Sequence, residues 1–421
     1  MTAKTDVLII GGGSIGLNCA YYLLKSGREV TIIDQKQIAA GSSAGNAGHI
    51  VPSHIVPLAA PGMIATSLKW MLNPATSPFS MRISLDPAYI AWLLQFAMAC
   101  SASNVERAIP PLKSLGLLSA SNFATLVAEE KFDCHYTPTG LLFLYKTEEA
   151  WAGGKHEADI LHQNGLPAEV LDRDAVHGRE PSALPDVIGG VHFTGDACLH
   201  PGKFLQQLAG RVRALGAKVY ENAPVTALES AGGRVSVVRT PAEDFEPKLV
   251  VLAAGAWSPA VARGLHINIP IQPARGYSLT MRATRVMPRQ ALILGERRVA
   301  VTPLGDTLRF TGRLELSPVD TTVNPKQIAG IEQAVRQYIQ VDEKLDIFET
   351  WAGLRPTTPD GVPIIGFSPR HANLLLASGH AMLGLSLGPG TGQVVAEIAN
   401  GKHPAFDMAP FRAERFNLRF Q

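Results

Sequence analysis

Gly11-Gly12-Gly13-Ser14-Ile15-Gly16 has the spacing G-x-G-x-x-G. Glycine at its first position permits a tight turn. Glycine at the second lets bare backbone approach a pyrophosphate, and at the third it lets a helix pack closely on a strand. The helix opening at Ser14 and Ile15 offers unpaired N–H groups and a favourable dipole to phosphate. Asp34, followed by Gln35, closes the next strand-like run, where a carboxylate accepts hydrogen bonds from a ribose hydroxyl. The spacing serves NAD and FAD equally and leaves the choice open. No second G-x-G-x-x-G follows a strand, because Gly388-Pro389-Gly390-Thr391-Gly392 has the wrong spacing. One dinucleotide site is expected, set against the bland alternative of a glycine turn beside an exposed Asp.

Other constellations lead elsewhere or nowhere. Gly384-Leu385-Ser386-Leu387-Gly388 matches G-x-S-x-G, the elbow of serine hydrolases. The Asp and then His that should follow are out of order, since His403 precedes Asp407. His156, Glu157 and His162 miss the helical spacing of a zinc site, and no metal site is expected. Cys19, Cys100, Cys134 and Cys198 form no C-x-x-C pair and read as buried thiols of a reducing compartment. With 38 basic against 36 acidic residues there is no electrostatic footprint for nucleic acid. No apolar run reaches the roughly 18 residues of a spanning helix. Ala88–Ala102, with Trp70, Met71 and Trp92 nearby, is expected to be a buried helix or, in a minority reading, a peripheral membrane contact.

Several further segments occur together in order. Gly41-Ser42-Ser43 with Asn46-Ala47-Gly48 follows Asp34, and Val251 leads through Ala254-Gly255-Ala256-Trp257-Ser258. Trp351-Ala352-Gly353-Leu354-Arg355-Pro356 precedes Asp360-Gly361-Val362-Pro363, and Gly379-His380 leads to Gly384-Leu385-Ser386. Over essentially the whole chain this set resembles the D-amino acid oxidase superfamily of FAD-dependent oxidoreductases. It is most similar to the small-subunit type of bacterial D-amino acid dehydrogenase, including Ala60-Pro61-Gly62 to Lys69-Trp70-Met71.

The resemblance implies non-covalent FAD, because relatives that tether it through His carry that residue near Asn46. Cofactor contacts are implied at Gly11, Gly13, Ser14, Ile15, Gly16, Asp34, Gln35, Ser42, Ser43, Asn46, Ala47, Gly48, Val225, Ala254, Gly255, Trp257, Gly384, Leu385 and Ser386. Arg355 is implied to hold the substrate carboxylate, with a carbonyl-capping structural role as its alternative and Arg313 as a weaker second candidate. Tyr277, His54 and His380 are the polar groups expected to face the substrate, although packing serves each His equally well. The expected reaction is oxidation of a D-amino acid, cyclic ones such as D-proline or D-hydroxyproline included, to an imine. The rivals are a glycine- or sarcosine-type oxidase using oxygen and, distantly, a serine hydrolase. A quinone or an electron-transfer partner is the expected acceptor, and the expected location is cytoplasmic, peripheral to the inner face of the cytoplasmic membrane.

The elements that must position these residues begin with a strand (6–10), the glycine turn, a helix (15–26) and a strand (30–34), a βαβ start that implies an α/β fold. Residues 41–62 read as extended loop, 86–130 as a helical tract and 140–146 as strand. Helices are expected from Pro201 to Leu215, after Asn324-Pro325, and from about Gln393, and short alternating strands over 276–314. The expected architecture is a Rossmann-like FAD domain (1–84, 184–265, 350–421) interleaved with an α+β substrate domain (85–183, 266–349) whose sheet is mostly antiparallel.

Overall fold

Val7-Leu8-Ile9-Ile10 is apolar at every position, as a strand covered on both faces must be. The computed structural model describes residues 2–71, 77–82 and 84–416 and buries this run at the centre of an eight-stranded sheet. β1 (Thr2–Ile10) runs parallel to β2 (Val30–Ile33) on one side and to the strand Asp244–Leu252 on the other. Lys218–Tyr220 extends the sheet beyond β2, and Leu374–Ser378 joins the end of Asp244–Leu252 in parallel. α1 (Ser14–Lys25) buries Leu17, Ala20 and Leu23 against this sheet. The helix Gly388–Ala399 packs on α1, closely enough that a Cβ on Gly392 would lie 2.6 Å from the Asn18 backbone.

The second sheet has nine strands, in the order Ile347–Thr357, Gln272–Arg282, Thr307–Leu316, Val299–Pro303, Ala291–Leu294, Leu141–Tyr145, Gly189–Phe193 and Glu169–Asp172, with Phe79–Met81 beside Thr307–Leu316. All pairs are antiparallel except Ala291–Leu294 with Leu141–Tyr145 and Thr307–Leu316 with Phe79–Met81. Phe79–Met81, Gly189–Phe193 and most of Ile347–Thr357 fall in segments expected for the dinucleotide domain, yet they pair here. Strand pairing is a long-range choice that satisfies backbone groups, and no local pattern announces which sheet a strand will join.

α2 (Met63–Met71) follows the loop that carries Asn46. The helical tract is two helices, α3 (Pro87–Ala99) and α4 (Ala102–Glu129), bent by 93° at Cys100–Ser101. Each has its own cap: Asp86 Oδ1 accepts from the Ala88 N–H at 2.9 Å and Ser101 Oγ from the Asn104 N–H at 3.3 Å. Among the described residues no single helix is long and apolar enough to cross a membrane. Asn324 Oδ1 accepts from the Lys326 N–H at 3.0 Å and opens the helix Pro325–Arg336 as expected.

Candidate active site

A cavity of about 730 Å³ lies where the ends of β1, β2 and Asp244–Leu252 meet the face of the nine-stranded sheet. It is within the ordinary range for a cofactor and small substrate. Gly11 turns the chain there at φ +107°, and a Cβ on it would lie 2.6 Å from the Ala253 carbonyl oxygen. A Cβ on Gly16 would lie 1.8 Å from the Gly11 carbonyl oxygen, so Gly16 serves the close approach of helix to strand and does not line the cavity. Gly13 caps α1 without a side-chain hydrogen bond, and the first turn carries no acidic residue. The amide end of α1 therefore faces the cavity bare except for the Ser14 N–H, which donates to Ser43 Oγ at 3.0 Å.

Asp34 also braces the turn. Its Oδ2 accepts from the Gly12 N–H at 2.7 Å and its Oδ1 from the Lys36 N–H at 2.8 Å. Burial raises its pKa, while these two hydrogen bonds and Lys36 oppose the rise. Gln35, Ser42, Ser43, Asn46, Ala47, Val225, Ala254, Gly255, Trp257, Gly384 and Leu385 all line the same cavity. Ser42 Oγ accepts from the Leu354 N–H at 2.9 Å, tying the loop to the strand that bears Arg355. Gly48 is backbone architecture instead: at φ +85° a Cβ on it would lie 2.2 Å from the Leu199 carbonyl oxygen.

Arg355 lines the cavity from the nine-stranded sheet. Its Nη1 donates to the Arg313 carbonyl oxygen at 2.8 Å, and no carboxylate pairs with it among the described residues. Burial lowers its pKa to about 10. His54 and His380 line the cavity too, with pKa values pushed down to about 4 and about 3, chiefly by burial. Both imidazoles are neutral near pH 7.

The residues present fit FAD. A bare helix N-terminus and glycine backbone stand where a pyrophosphate needs donors, Asp34 lies beside the turn, and the cavity runs on to Arg355. Residues 6–398 match the family described as DAO, FAD dependent oxidoreductase. The chain belongs to the DAO family. Proteins named D-amino acid dehydrogenase in Rhizorhabdus wittichii and Bradyrhizobium diazoefficiens are 31% and 32% identical to it over 417 and 425 residues. The first alignment covers 97% of this chain and 100% of the relative, the second 98% and 99%. Glycine oxidase from Geobacillus kaustophilus shares the fold, with a TM-score of 0.80 and 24% identity over 98% of this chain and 99% of that one.

Besides Gly16 and Gly48, three expectations for this DAO-family site are corrected. Tyr277 does not face the cavity. Its neighbour Gly276 lines it, and strand alternation sends Tyr277 to the opposite face, where its hydroxyl donates to Glu315 Oε2 at 2.7 Å beside Arg275. Ser386 is likewise buried outside the cavity. Its Oγ accepts from the Val51 N–H at 2.8 Å and bonds no histidine, which removes the hydrolase reading. Arg313, the weaker carboxylate candidate, points toward Gly330 and the Ser77 carbonyl, away from the main cavity.

The fold also adds residues that the sequence did not single out. His49 and Arg298 line the cavity, and His49 Nε2 lies 2.9 Å from Thr302 Oγ1. Arg309 holds the cofactor loop from behind, donating to the Ala44 and Asn46 carbonyl oxygens at 2.8 and 3.0 Å while pairing with Glu349 at 3.0 Å. An Arg inside a strand (Thr307–Leu316) that is otherwise largely buried was the signal available for it.

Proposed function

We propose that this DAO-family enzyme dehydrogenates a D-amino acid at its α carbon, leaving an imine that water hydrolyses. The observation that carries the reading is Arg355, a buried guanidinium on the cavity wall with no carboxylate partner among the described residues. A planar fork of donors fits a carboxylate at two points, and a substrate carboxylate would supply the missing counter-charge. Bound FAD supplies the hydride acceptor. The chain's own share is to hold the carboxylate, orient the α carbon and exclude water with the apolar walls formed by Ile293, Ala300 and Trp351. The curated relatives named D-amino acid dehydrogenase support this substrate class. Anaerobic bleaching of the flavin spectrum by D-alanine, D-proline and D-hydroxyproline tests it. Bleaching by glycine and sarcosine alone would replace it with an amine-oxidase function. Arg355→Ala should raise KM by roughly 100-fold and keep FAD bound.

In this reading FAD is held without a covalent bond, Asn46 standing where tethered relatives carry His, so acid precipitation should release all of it. The FAD-binding unit takes the eight-stranded sheet and the substrate unit the nine-stranded one, with limits moved from those expected to follow the strand pairing. The acceptor is a quinone or a protein of the electron-transfer chain, reached at the inner face of the cytoplasmic membrane. Support comes from α3, which carries no charge from Pro87 to Ala99 and leaves Ile90, Leu94 and Met98 exposed. Ile64 and Leu68 of α2 are exposed too, and α2 ends in an exposed Lys69 able to meet anionic headgroups. Loss of vesicle co-sedimentation in Leu94→Glu/Met98→Glu, with unchanged bleaching by substrate, is the expected result.

A further inference from the structure

The Asp196 carboxylate is buried with no ion-pair partner among the described residues. Asp196 is 1% exposed, and among the described residues its carboxylate hydrogen-bonds to Ser53 alone: its Oδ2 accepts from Ser53 Oγ at 2.6 Å and its Oδ1 from the Ser53 N–H at 3.2 Å. The antiparallel pairing of His49–Ile50 with Ala197–Cys198 brings these two distant segments together. Ser53 Oγ is also 3.1 Å from Nδ1 of His54, and His54 lines the cavity. The three side chains thus form an unbroken line from a solvent-excluded acid to the cavity wall.

A hydroxyl has one proton to give. When Asp196 is ionised, Ser53 donates to it, so Ser53 Oγ accepts from His54 Nδ1–H and the His54 Nε2 lone pair is unprotonated. When Asp196 is protonated, it donates to Ser53, Ser53 donates to Nδ1, and the proton of the neutral imidazole sits on Nε2. The ionisation of Asp196 and the tautomer of His54 are therefore two ends of one switch.

Dehydrogenation of an amino acid requires a lone pair on nitrogen, and an ammonium has none. We propose that Asp196, Ser53 and His54 form a relay that takes the substrate ammonium's proton, a role that rests on the amino-acid reading above. One ammonium N–H bond breaks as Nε2–H forms. The Nδ1–H proton passes to Ser53 Oγ, and the Ser53 proton passes to Asp196 Oδ2. The net change is an amine and a neutral carboxylic acid in place of an ammonium and a carboxylate, with the hydride leaving separately for FAD. Burial pushes the Asp196 pKa up to about 8 against the opposing Ser53 hydrogen bonds, so Asp196 is ionised and able to receive the proton from about pH 8 upward. The charged and titratable groups around the line are Glu157, which raises Asp196 further, Arg298, which disfavours a charged His54, and neutral His49. Arg298 acts against an imidazolium and so favours passing the proton through His54 over storing it there.

The test is anaerobic stopped-flow bleaching of the holoenzyme by saturating D-proline and D-alanine across pH, in Ser53→Ala, Ser53→Thr and Asp196→Asn. The visible spectrum of each variant verifies bound FAD. Just above pH 8, where Asp196 is ionised and the substrate is still an ammonium, Ser53→Ala and Asp196→Asn should bleach roughly 100-fold more slowly than the wild type. Both should rejoin the wild type above the pKa of the substrate ammonium, and Ser53→Thr should restore the wild-type profile. At the same pH, infrared difference spectra on substrate addition should show a carboxylic-acid C=O band that Asp196→Asn lacks. Profiles that overlay the wild type, or a loss of rate that is equal at every pH, would overturn the relay. A wild type that no D-amino acid bleaches sinks the amino-acid reading instead.

Discussion

The Arg355 guanidinium lies flat against Gly276 of the neighbouring strand, so close that a Cβ on Gly276 would sit 2.1 Å from Nη1. The register places Gly276 opposite Gly353 and Arg355 opposite Ala274, so the Arg reaches diagonally across a strip cleared of side chains. Gly276→Ala should therefore act as a displacement of Arg355. KM for the substrate should rise roughly 10- to 100-fold with FAD still bound, read from bleaching titrations. Retention of wild-type KM would show that Arg355 is not the carboxylate anchor.

Gly13 and Gly16 separate cofactor contact from fold. A Cβ on Gly13 would meet only Ser43 Oγ, at 3.4 Å, whereas one on Gly16 collides with the Gly11 carbonyl. Gly13→Ala should leave the melting temperature of the apoprotein unchanged while raising the Kd for FAD. Gly16→Ala should destabilise the apoprotein by roughly 2–4 kcal/mol. Thermal melts of apoprotein and FAD fluorescence titrations check the pair.

Arg309→Met removes two charge-assisted hydrogen bonds that hold the Ala44 and Asn46 carbonyls. The loop should loosen, and the Kd for FAD should rise roughly 10- to 100-fold. Far-UV circular dichroism should not change, because the strand that bears Arg309 remains paired on both sides.

Acid should destabilise the fold through its buried imidazoles. His49, His54 and His380 have folded pKa values near 3, 4 and 3, depressed from 6.5. Between those values the unfolded chain binds protons that the fold refuses. Their stabilising contribution is complete above pH 6.5 and is lost as pH falls toward 4, by on the order of 3 kcal/mol per group. Asp196 works the other way: its raised pKa means the fold gains stability as pH falls from 8 toward 4. Three groups outweigh one, so the melting temperature should peak near pH 6.5 and fall steeply below pH 6. His380→Gln should flatten the acid limb.

The parts of the site that lie within one short segment were legible in the chain. Gly11 to Gly16 turned between strand and helix as read, because a tight turn and a close helix approach are local demands that only glycine meets. Tyr277 was misread because its place beside Gly276 in the sequence says nothing of which face of the sheet it takes. Strand parity decides that, and parity depends on the partner strands. Gly48 and Ser386 sit in segments that do line the cavity, but their own contacts are with Leu199 and Val51.

The amino-acid order alone determined the βαβ start and the single dinucleotide turn with Asp34 at its edge. Those follow from local sterics and from periodicities carried within a few residues. Only the tertiary structure decided that Arg355 would stand on a cavity wall with no carboxylate partner among the described residues, that Arg309 would grip the cofactor loop, and that Asp196 would reach His54 through Ser53. Each depends on segments far apart in the chain being brought together, where burial and the charges that are or are not nearby set the chemistry of a side chain.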